Sequence, residues 1–328
     1  MNEIPSFGTA DRVAVTILVD NQANLIVKST DEIVYFTKKP LLAEHGFAAL
    51  IDVNDGERRI LWDAGISKRA LMENAARMEV DFSGIDAIVL SHGHGDHTGA
   101  VADVLDVVGR RNREREWPAG TAMADVDAWL DTQRLPIVLH PAALRELWGK
   151  DDEGKLHGPG LPPPTGTWED LGAKIVCEEG PYRLADGFWT TGYVPRRSFE
   201  HSGRGTSTYY RDGDVLRRHD TEDDQALILN VAGKGLVVVS GCAHAGIVNT
   251  VRHAQEITGV DRVHAVIGGF HLARCEPDEL EQTIAAFKGW APTLISPSHC
   301  TGFGPICRFA AEMPGPFVPG VVGVTYRF

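Results

Sequence analysis

The chain has 328 residues, 43% of them hydrophobic, which predicts a soluble globular protein with a sizeable buried core. Its formal net charge of −13 argues against a nucleic-acid partner, because phosphate backbones are bound by clustered Lys and Arg. The five cysteines are odd in number and widely spread, and no secretory signal or membrane span is seen, so we expect a cytoplasmic protein without a disulfide framework.

The first half of the chain alternates predicted strands and helices. Apolar runs predict strands at Val13–Val19, Ala48–Val53, 59–62 and 86–91. Apolar residues at helical spacing predict a helix after Ser67 and another from Thr98. The polar residues between 91 and 98 therefore lie on a loop between a strand end and a helix start, where α/β folds place their chemistry.

The second half repeats this pattern. Strands are predicted at Ala226–Val231, 236–240, 263–267 and 293–296, with helices between the last three. The last three strands each run into a loop that carries a histidine, namely His244, His271 or His299. We expect these strand ends to converge on one site. The stretches 151–170 and 196–222 predict long surface loops within a single domain spanning 1–328, and nothing indicates an oligomeric state.

The segment SHGHGDH carries the most information. Residues two apart on an extended strand exit point to the same side, so His92 and His94 can chelate one ion. A turn at the intervening glycines then presents Asp96 and His97 to a second ion nearby. Imidazole and carboxylate ligands suit a divalent transition metal; we expect zinc, one or two ions, with iron and manganese as alternatives. A chance cluster of solvated side chains is the weaker interpretation.

This pattern resembles the signature of the metallo-β-lactamase superfamily. Asp63, in the run LWDAG, is similar to an aspartate that this family places beside its metals. Six further runs resemble the branch named for dihydropterin ribofuranosyl-aminobenzene phosphate synthase: LVDNQ, AEHGF, DDQAL, SGCAHAGIVNT, GGFHL and SPSHCTG. The resemblance implies a four-layer αββα sandwich over nearly the whole chain, with metals at one edge.

The resemblance also implies a set of ligands and one supporting residue. The implied ligands are His92, His94, Asp96, His97 and His299, and Asp63 is implied to fix an imidazole tautomer from outside the ligand set. Common hydrolases of this fold carry a Gly-His before the hairpin, where this chain has Gly192-Tyr193. We therefore expect His244 to supply the missing ligand.

Cys242 falls where many relatives have a bridging aspartate. Its thiolate either ligates or bridges there, or Cys242 is simply a small buried side chain. In the second case the site would hold one ion only, or bind the second weakly.

The other histidines have less specific interpretations. His271 is either a substrate-facing acid or a hydrogen-bonded neighbour of the site, and His45 is expected to reach the pocket. We expect His140 and His264 to be core histidines, and the following to be solvated: His157, His201, His219 and His253. The acidic run 222–224 is a solvated turn or a structural contact near the site.

The leading functional hypothesis is hydrolysis of a small ester, a phosphate ester or related anionic small molecule, by a metal-bound hydroxide. Asp96 would orient the bound water and accept the proton that it loses in forming this hydroxide. One alternative is a metal-dependent synthase that joins a pterin-type phosphorylated substrate to an organic nucleophile. Another is a non-catalytic metal-binding protein. Redox chemistry at a di-iron site is a minor further possibility.

Overall fold

The structure, a computed structural model, describes residues 7–113, 120, 122–201 and 208–328. Its strands, in chain order, are β1 (Val13–Val19), β2 (Ile33–Tyr35), β3 (Ala48–Val53), β4 (Arg58–Trp62), β5 (Ala87–Val89), β6 (Leu135–Leu139), β7 (Leu147–Lys150), β8 (Leu156–Gly160), β9 (Ala173–Cys177), β10 (Arg183–Ala185), β11 (Phe188–Thr190), β12 (Thr208–Asp212), β13 (Val215–Arg218), β14 (Ala226–Val231), β15 (Gly235–Ser240), β16 (Val263–Gly269), β17 (Leu294–Ser298) and β18 (Val324–Arg327).

The helices, in chain order, are α1 (Lys68–Met78), α2 (Gly95–Thr98), α3 (Val101–Arg113), α4 (Val126–Thr132), α5 (Thr165–Asp170), α6 (Ile247–Thr258), α7 (Pro277–Trp290) and α8 (Phe303–Glu312). Among the described residues, no helix combines the length and the apolar character that a membrane crossing needs.

Two large sheets form the middle of the molecule. An eight-stranded sheet has the order β2-β18-β1-β3-β4-β5-β6-β9, and a six-stranded sheet has the order β10-β11-β14-β15-β16-β17. Strands β4, β5, β6 and β9 run parallel, as do β15, β16 and β17. Parallel strands are usually buried on both faces, which explains their nearly continuous apolar sequences.

Alternate residues of these strands point to different layers. In β3, Ile51 packs between the sheets and Leu50 packs against the outer helices. In β14, Leu229 packs between the sheets and Ile228 packs against the outer helices. The first sheet's outer face is covered by α1, α3 and α5, and the second sheet's outer face by α6, α7 and α8. The layers are therefore helix, sheet, sheet, helix, which confirms the predicted αββα sandwich.

The stretches expected to be long loops differ from that expectation. Strand β8 and helix α5 lie within 151–170, and β12 and β13 lie within 196–222. These strands and β7 form a small sheet of order β13-β12-β7-β8. The prediction of irregular structure was wrong there because most of these strand residues are exposed and show no apolar alternation. Residues 202–207 lie outside the described part, and the single-domain organisation stays a prediction.

Candidate metal centre

The candidate site lies at one edge of the sandwich, where the carboxyl ends of parallel strands from both sheets meet. Each of five strands is followed by a polar or sulfur-bearing side chain, in the order β4 with Asp63, β5 with His92, β15 with Cys242, β16 with His271 and β17 with His299. Open α/β sheets bind ligands outside the carboxyl ends of their strands. The convergence expected of His244, His271 and His299 is observed, since all three line one cavity.

His92, His94 and His244 form the first group of imidazoles. His92 Nε2 lies 2.9 Å from His94 Nδ1, and the His244 ring centroid is 4.8 Å from that of His92 and 4.9 Å from that of His94. A ligand atom of His92, one of His244 and the sulfur of Cys242 all lie within 4.8 Å of one another. The exposed Tyr193 does not line this cavity, so the structure brings His244, and not the Gly192-Tyr193 position, to the first group.

Asp96, His97 and His299 form the second group, again with Cys242. Asp96 Oδ2 lies 3.6 Å from His97 Nε2 and 3.4 Å from His299 Nε2. The sulfur of Cys242 lies 3.2 Å from His97 Nε2 and 3.3 Å from His299 Nε2. His45 Nε2 approaches Asp96 Oδ2 to 3.3 Å, which places it at the pocket as expected. Cys242 therefore stands between the two groups, where a thiolate could touch two ions.

Hydrogen bonds fix which nitrogen of His97 and of His299 faces the centre. Asp63 Oδ2 lies 2.7 Å from His97 Nδ1 and accepts the hydroxyl of Ser91 at 2.7 Å. Asn21 Oδ1 accepts from Nδ1 of His299 at 3.1 Å. Because a carboxylate and an amide oxygen can only accept, Nδ1 of both histidines carries a proton, and Nε2 is the nitrogen left to face the centre. The expected position of Asp63 beside an imidazole is therefore observed.

The acidic run before β14 forms a clamp between two loops of the site, which agrees with the second of its two interpretations, a structural contact near the site. Asp223 Oδ2 accepts the Gly93 N–H at 2.7 Å, between His92 and His94, and Asp224 Oδ2 accepts the Ala245 N–H at 2.9 Å, beside His244. The adjacent Gln225 bonds the backbone oxygens of residues 90 and 91. The run 222–224 is therefore no solvated turn. The only signal for Asp223 and Asp224 in the sequence was the run DDQAL, which resembles the same branch. In the same way, the run LVDNQ was the only signal for Asn21.

The electrostatics favour neutral imidazoles at the first group. Burial lowers the pKa of His92 well below its usual value, and the neighbouring His97, His94 and His244 lower it further. Burial alone would raise the pKa of Asp96, but its bond to His299 and the charge of His97 hold that pKa below its usual range. Neutral imidazoles, a carboxylate and a thiol are the donor types that bind zinc and similar ions, so these residues fit a divalent transition metal.

Backbone strain is also found at the same edge. Asp63, Ala243, His271 and His299 have positive φ angles of 58°, 57°, 49° and 47°. Residues other than glycine rarely adopt this left-handed region, and where they do the surrounding structure enforces it, often at functional sites.

The groups open into a cavity of about 780 Å³. Besides the candidate ligands, its wall includes His45, His201, His219, Arg274, Glu276 and Cys300. His219 is only 3% exposed, so the prediction that it is solvated was wrong: its Nε2 faces Asp223 Oδ1 at 3.5 Å. His140 and His264 are buried outside the cavity, as expected.

Known proteins are similar to this chain in sequence and in fold. Residues 58–155 match the model of the beta-lactamase superfamily domain. The chain is 30% identical, over 85% of its length and 88% of the relative's, to 7,8-dihydropterin-6-methyl-4-(beta-D-ribofuranosyl)-aminobenzene-5'-phosphate synthase of Methanocaldococcus jannaschii. It is 32% identical to an uncharacterized protein of the same organism, over 94% and 98% of the two lengths.

Among solved structures, a metal-dependent hydrolase of the beta-lactamase superfamily superimposes with a TM-score of 0.67 at 22% identity, covering 95% of this chain and 98% of the other. The chain belongs to the metallo-β-lactamase superfamily. Within it, the identity and shared length put the chain in the branch of the dihydropterin ribofuranosyl-aminobenzene phosphate synthase. It is an enzyme of this fold, so the alternative of a non-catalytic metal-binding protein is set aside.

Proposed function

We propose that this enzyme hydrolyses a small phosphate ester or a related anionic small molecule at a divalent transition metal centre, with zinc as the expected metal. The observation that carries the proposal is the gathering of seven donor side chains beneath one cavity: His92, His94, Asp96, His97, Cys242, His244 and His299. They come from three separate segments of the chain, and a purely structural role does not require so many imidazoles to face one another.

The proposed roles follow from these positions. His92, His94 and His244 would hold one ion, and Asp96, His97 and His299 a second, with Cys242 between them. A bound divalent cation lowers the pKa of a coordinated water and polarises the ester oxygen under attack. Asp96, whose side chain is 17% exposed, would orient the attacking water and accept its proton. Asp63 and Asn21 would keep the Nε2 lone pairs of His97 and His299 directed at the centre.

The cavity fits a small anionic substrate. Its volume of about 780 Å³ lies within the usual range for small-molecule sites. The exposed Arg274 lines its wall and can attract a phosphate group, although the chain as a whole carries −13. We expect neither a nucleic-acid partner nor a membrane, and we expect a cytoplasmic location.

A synthase is the second candidate, and one observation favours it. The relative named as a synthase is 30% identical over 85% of this chain. A synthase would join the phosphorylated substrate to an organic nucleophile, so it would release little product from that substrate alone. Incubation of the enzyme with phosphorylated sugars, with and without an aromatic amine, therefore separates the two candidates.

The hydrolase proposal is tested by metal analysis followed by kinetics. Protein purified without added metal is analysed for its elements and then assayed on phosphate esters, phosphodiesters and lactones. Asp96→Asn should lower kcat by about 100-fold or more, because a neutral amide cannot accept the proton. The exposed Asp31→Asn is the matched control. If Asp96→Asn retains the metal and an unchanged kcat, the proposed role of Asp96 is wrong.

A further inference from the structure

Two side chains of the cavity wall have no part in the proposed ligand sets. Cys300 follows His299 directly, and His271 follows β16, whose end is hydrogen-bonded to that of β17. The sequence pattern indicates no function for Cys300 and two alternative functions for His271. A ligand atom of His271 and the sulfur atoms of Cys242 and Cys300 all lie within 4.8 Å of one another.

The packing brings the two sulfur-bearing residues close together. Cys300 Sγ lies 3.4 Å from the backbone oxygen of Cys242. Both residues pack over Gly269, where a Cβ atom would lie only 2.6 Å from Cys300 Sγ and 3.2 Å from Cys242 Cα. A side chain at position 269 would therefore push Cys300 away. The glycine keeps the three donors together on the cavity side, with the His271 ring centroid 4.1 Å from that of His244.

We propose that Cys242, His271 and Cys300 form a further metal subsite, rich in thiolate, that shares the sulfur of Cys242 with the centre described above. The inference rests on the proposed function through this shared sulfur. In a tetrahedral zinc site, ligand atoms lie roughly 3.3 to 3.8 Å apart, so small side-chain movements bring these three donors into place. Each thiol releases its proton to solvent as it binds the ion.

The donor types define the ion that this subsite would take. Two sulfurs and one imidazole are soft ligands, which suit zinc or iron and do not suit magnesium or calcium. The open coordination position would face the cavity, since all three residues line it. An ion there would add positive charge to the wall shared with Arg274, on the side available to an anionic substrate.

The test uses cobalt(II) as the probe, because cobalt replaces zinc and its bonds to thiolate absorb light. The full-length metal-free protein is titrated with cobalt(II), and bound metal per chain is measured after dialysis. Cys300→Ser should bind one fewer ion and lose about half of the thiolate-to-cobalt absorption, since one of two thiolates is removed. His271→Asn should also bind one fewer ion. Cys307→Ser, at an exposed cysteine, is the control and should match the wild type.

The cobalt titration separates the subsite from the proposed metal centre. If Cys300→Ser binds as many cobalt ions as the wild type and absorbs as strongly, the subsite alone is overturned. If the wild type binds no cobalt, the proposed metal centre is overturned as well. His94→Ala, aimed at the first group, should lose an ion and keep the Cys300-dependent absorption. A second measurement does not depend on the folding of any variant: in the wild type, bound cobalt should slow alkylation of Cys300 at least tenfold but not that of Cys307, and equal alkylation of Cys300 with and without metal overturns the subsite.

Discussion

Substitution of Asp63 by Asn tests whether hydrogen bonds outside the ligand set control metal binding. Asp63 is fully buried and accepts three hydrogen bonds at 2.7 Å: from the Ser91 N–H, the Ser91 hydroxyl and Nδ1–H of His97. Because the Ser91 hydroxyl donates to Asp63, its oxygen accepts from Nδ1 of His92 at 2.9 Å. One carboxylate thus fixes the tautomers of both His92 and His97.

An asparagine at position 63 would reverse this arrangement. Its oxygen must face the Ser91 N–H, so its amide group would face the Ser91 hydroxyl and His97 Nδ1. Both would then have to accept, and the protons would move to Nε2 of His97 and His92, the atoms that face the candidate centre. Loss of such a supporting contact lowers metal affinity by about 10- to 100-fold, or about 1.4 to 2.7 kcal/mol per ion.

The assay is competitive zinc titration against a chelator, with thermal unfolding of the metal-free protein alongside. Asn tolerates the positive φ at this position, so the metal-free Asp63→Asn protein should keep its fold. The control is Asp81→Asn, at an exposed residue that caps a short 3-10 helix, where Asn caps equally well. A zinc affinity within threefold of the wild type would refute the tautomer argument.

Three further predictions concern the cavity and its support. Burial lowers the pKa of His219, but Asp223 and Glu222 outweigh this effect and raise the pKa to about 9. Protonated His219 therefore stabilises the folded protein fully below about pH 6.5, and this stabilisation is lost as the pH rises through 9. His219→Gln should make the unfolding temperature of the metal-free protein fall less over this pH range. Gly241→Ala should weaken zinc binding at least tenfold, because its Cβ would lie 2.1 Å from Ser91 Oγ. Arg274→Ala should raise KM for a phosphorylated substrate about 3- to 10-fold and leave kcat unchanged.

Each of these three substitutions has a matched control on the same chain. His157→Gln changes an imidazole that is 57% exposed and should leave the decline with pH largely intact. Gly289→Ala lies in α7 with no heavy atom within 4 Å of the added Cβ, and should bind zinc normally. The exposed Arg252→Ala should keep the wild-type KM. The first prediction is contradicted if the unfolding temperature of the wild type does not fall as the pH rises. The second is contradicted if Gly241→Ala keeps full zinc affinity, and the third if Arg274→Ala keeps the wild-type KM.

The fold was predictable where local pattern and burial agree. Strands β1, β3 and β14 have the predicted bounds, because runs buried on both faces are nearly continuous in apolar residues. The small sheet was not predictable, since the residues of β8, β12 and β13 are exposed or half-buried and lack that pattern. Helix α2 was also missed: Asp96 and His97 lie on its single turn and not on an irregular loop.

The candidate site was also predictable only in part. His92, His94, Asp96 and His97 stand out because the chain places them within six residues of one another, and the late histidines because each follows a strand. The hydrogen bonds that orient them join segments that are far apart in sequence, such as Asp223 with residue 93 and Asn21 with residue 299. No periodicity or spacing encodes such pairs, so runs resembling those of relatives were their only trace in the sequence.

The clamp before β14 explains how two sheets can hold one centre. Asp223 fixes the loop after β5 of the first sheet, and its neighbour Asp224 fixes the loop after β15 of the second. The distance between the loops that carry His92 and His244 is therefore set by one dipeptide and by the packing of the sheets beneath it. An ion bound by both loops would join the same two layers. Metal binding and sheet packing would then stabilise each other, because an ion that binds only the folded arrangement adds its binding free energy to folding.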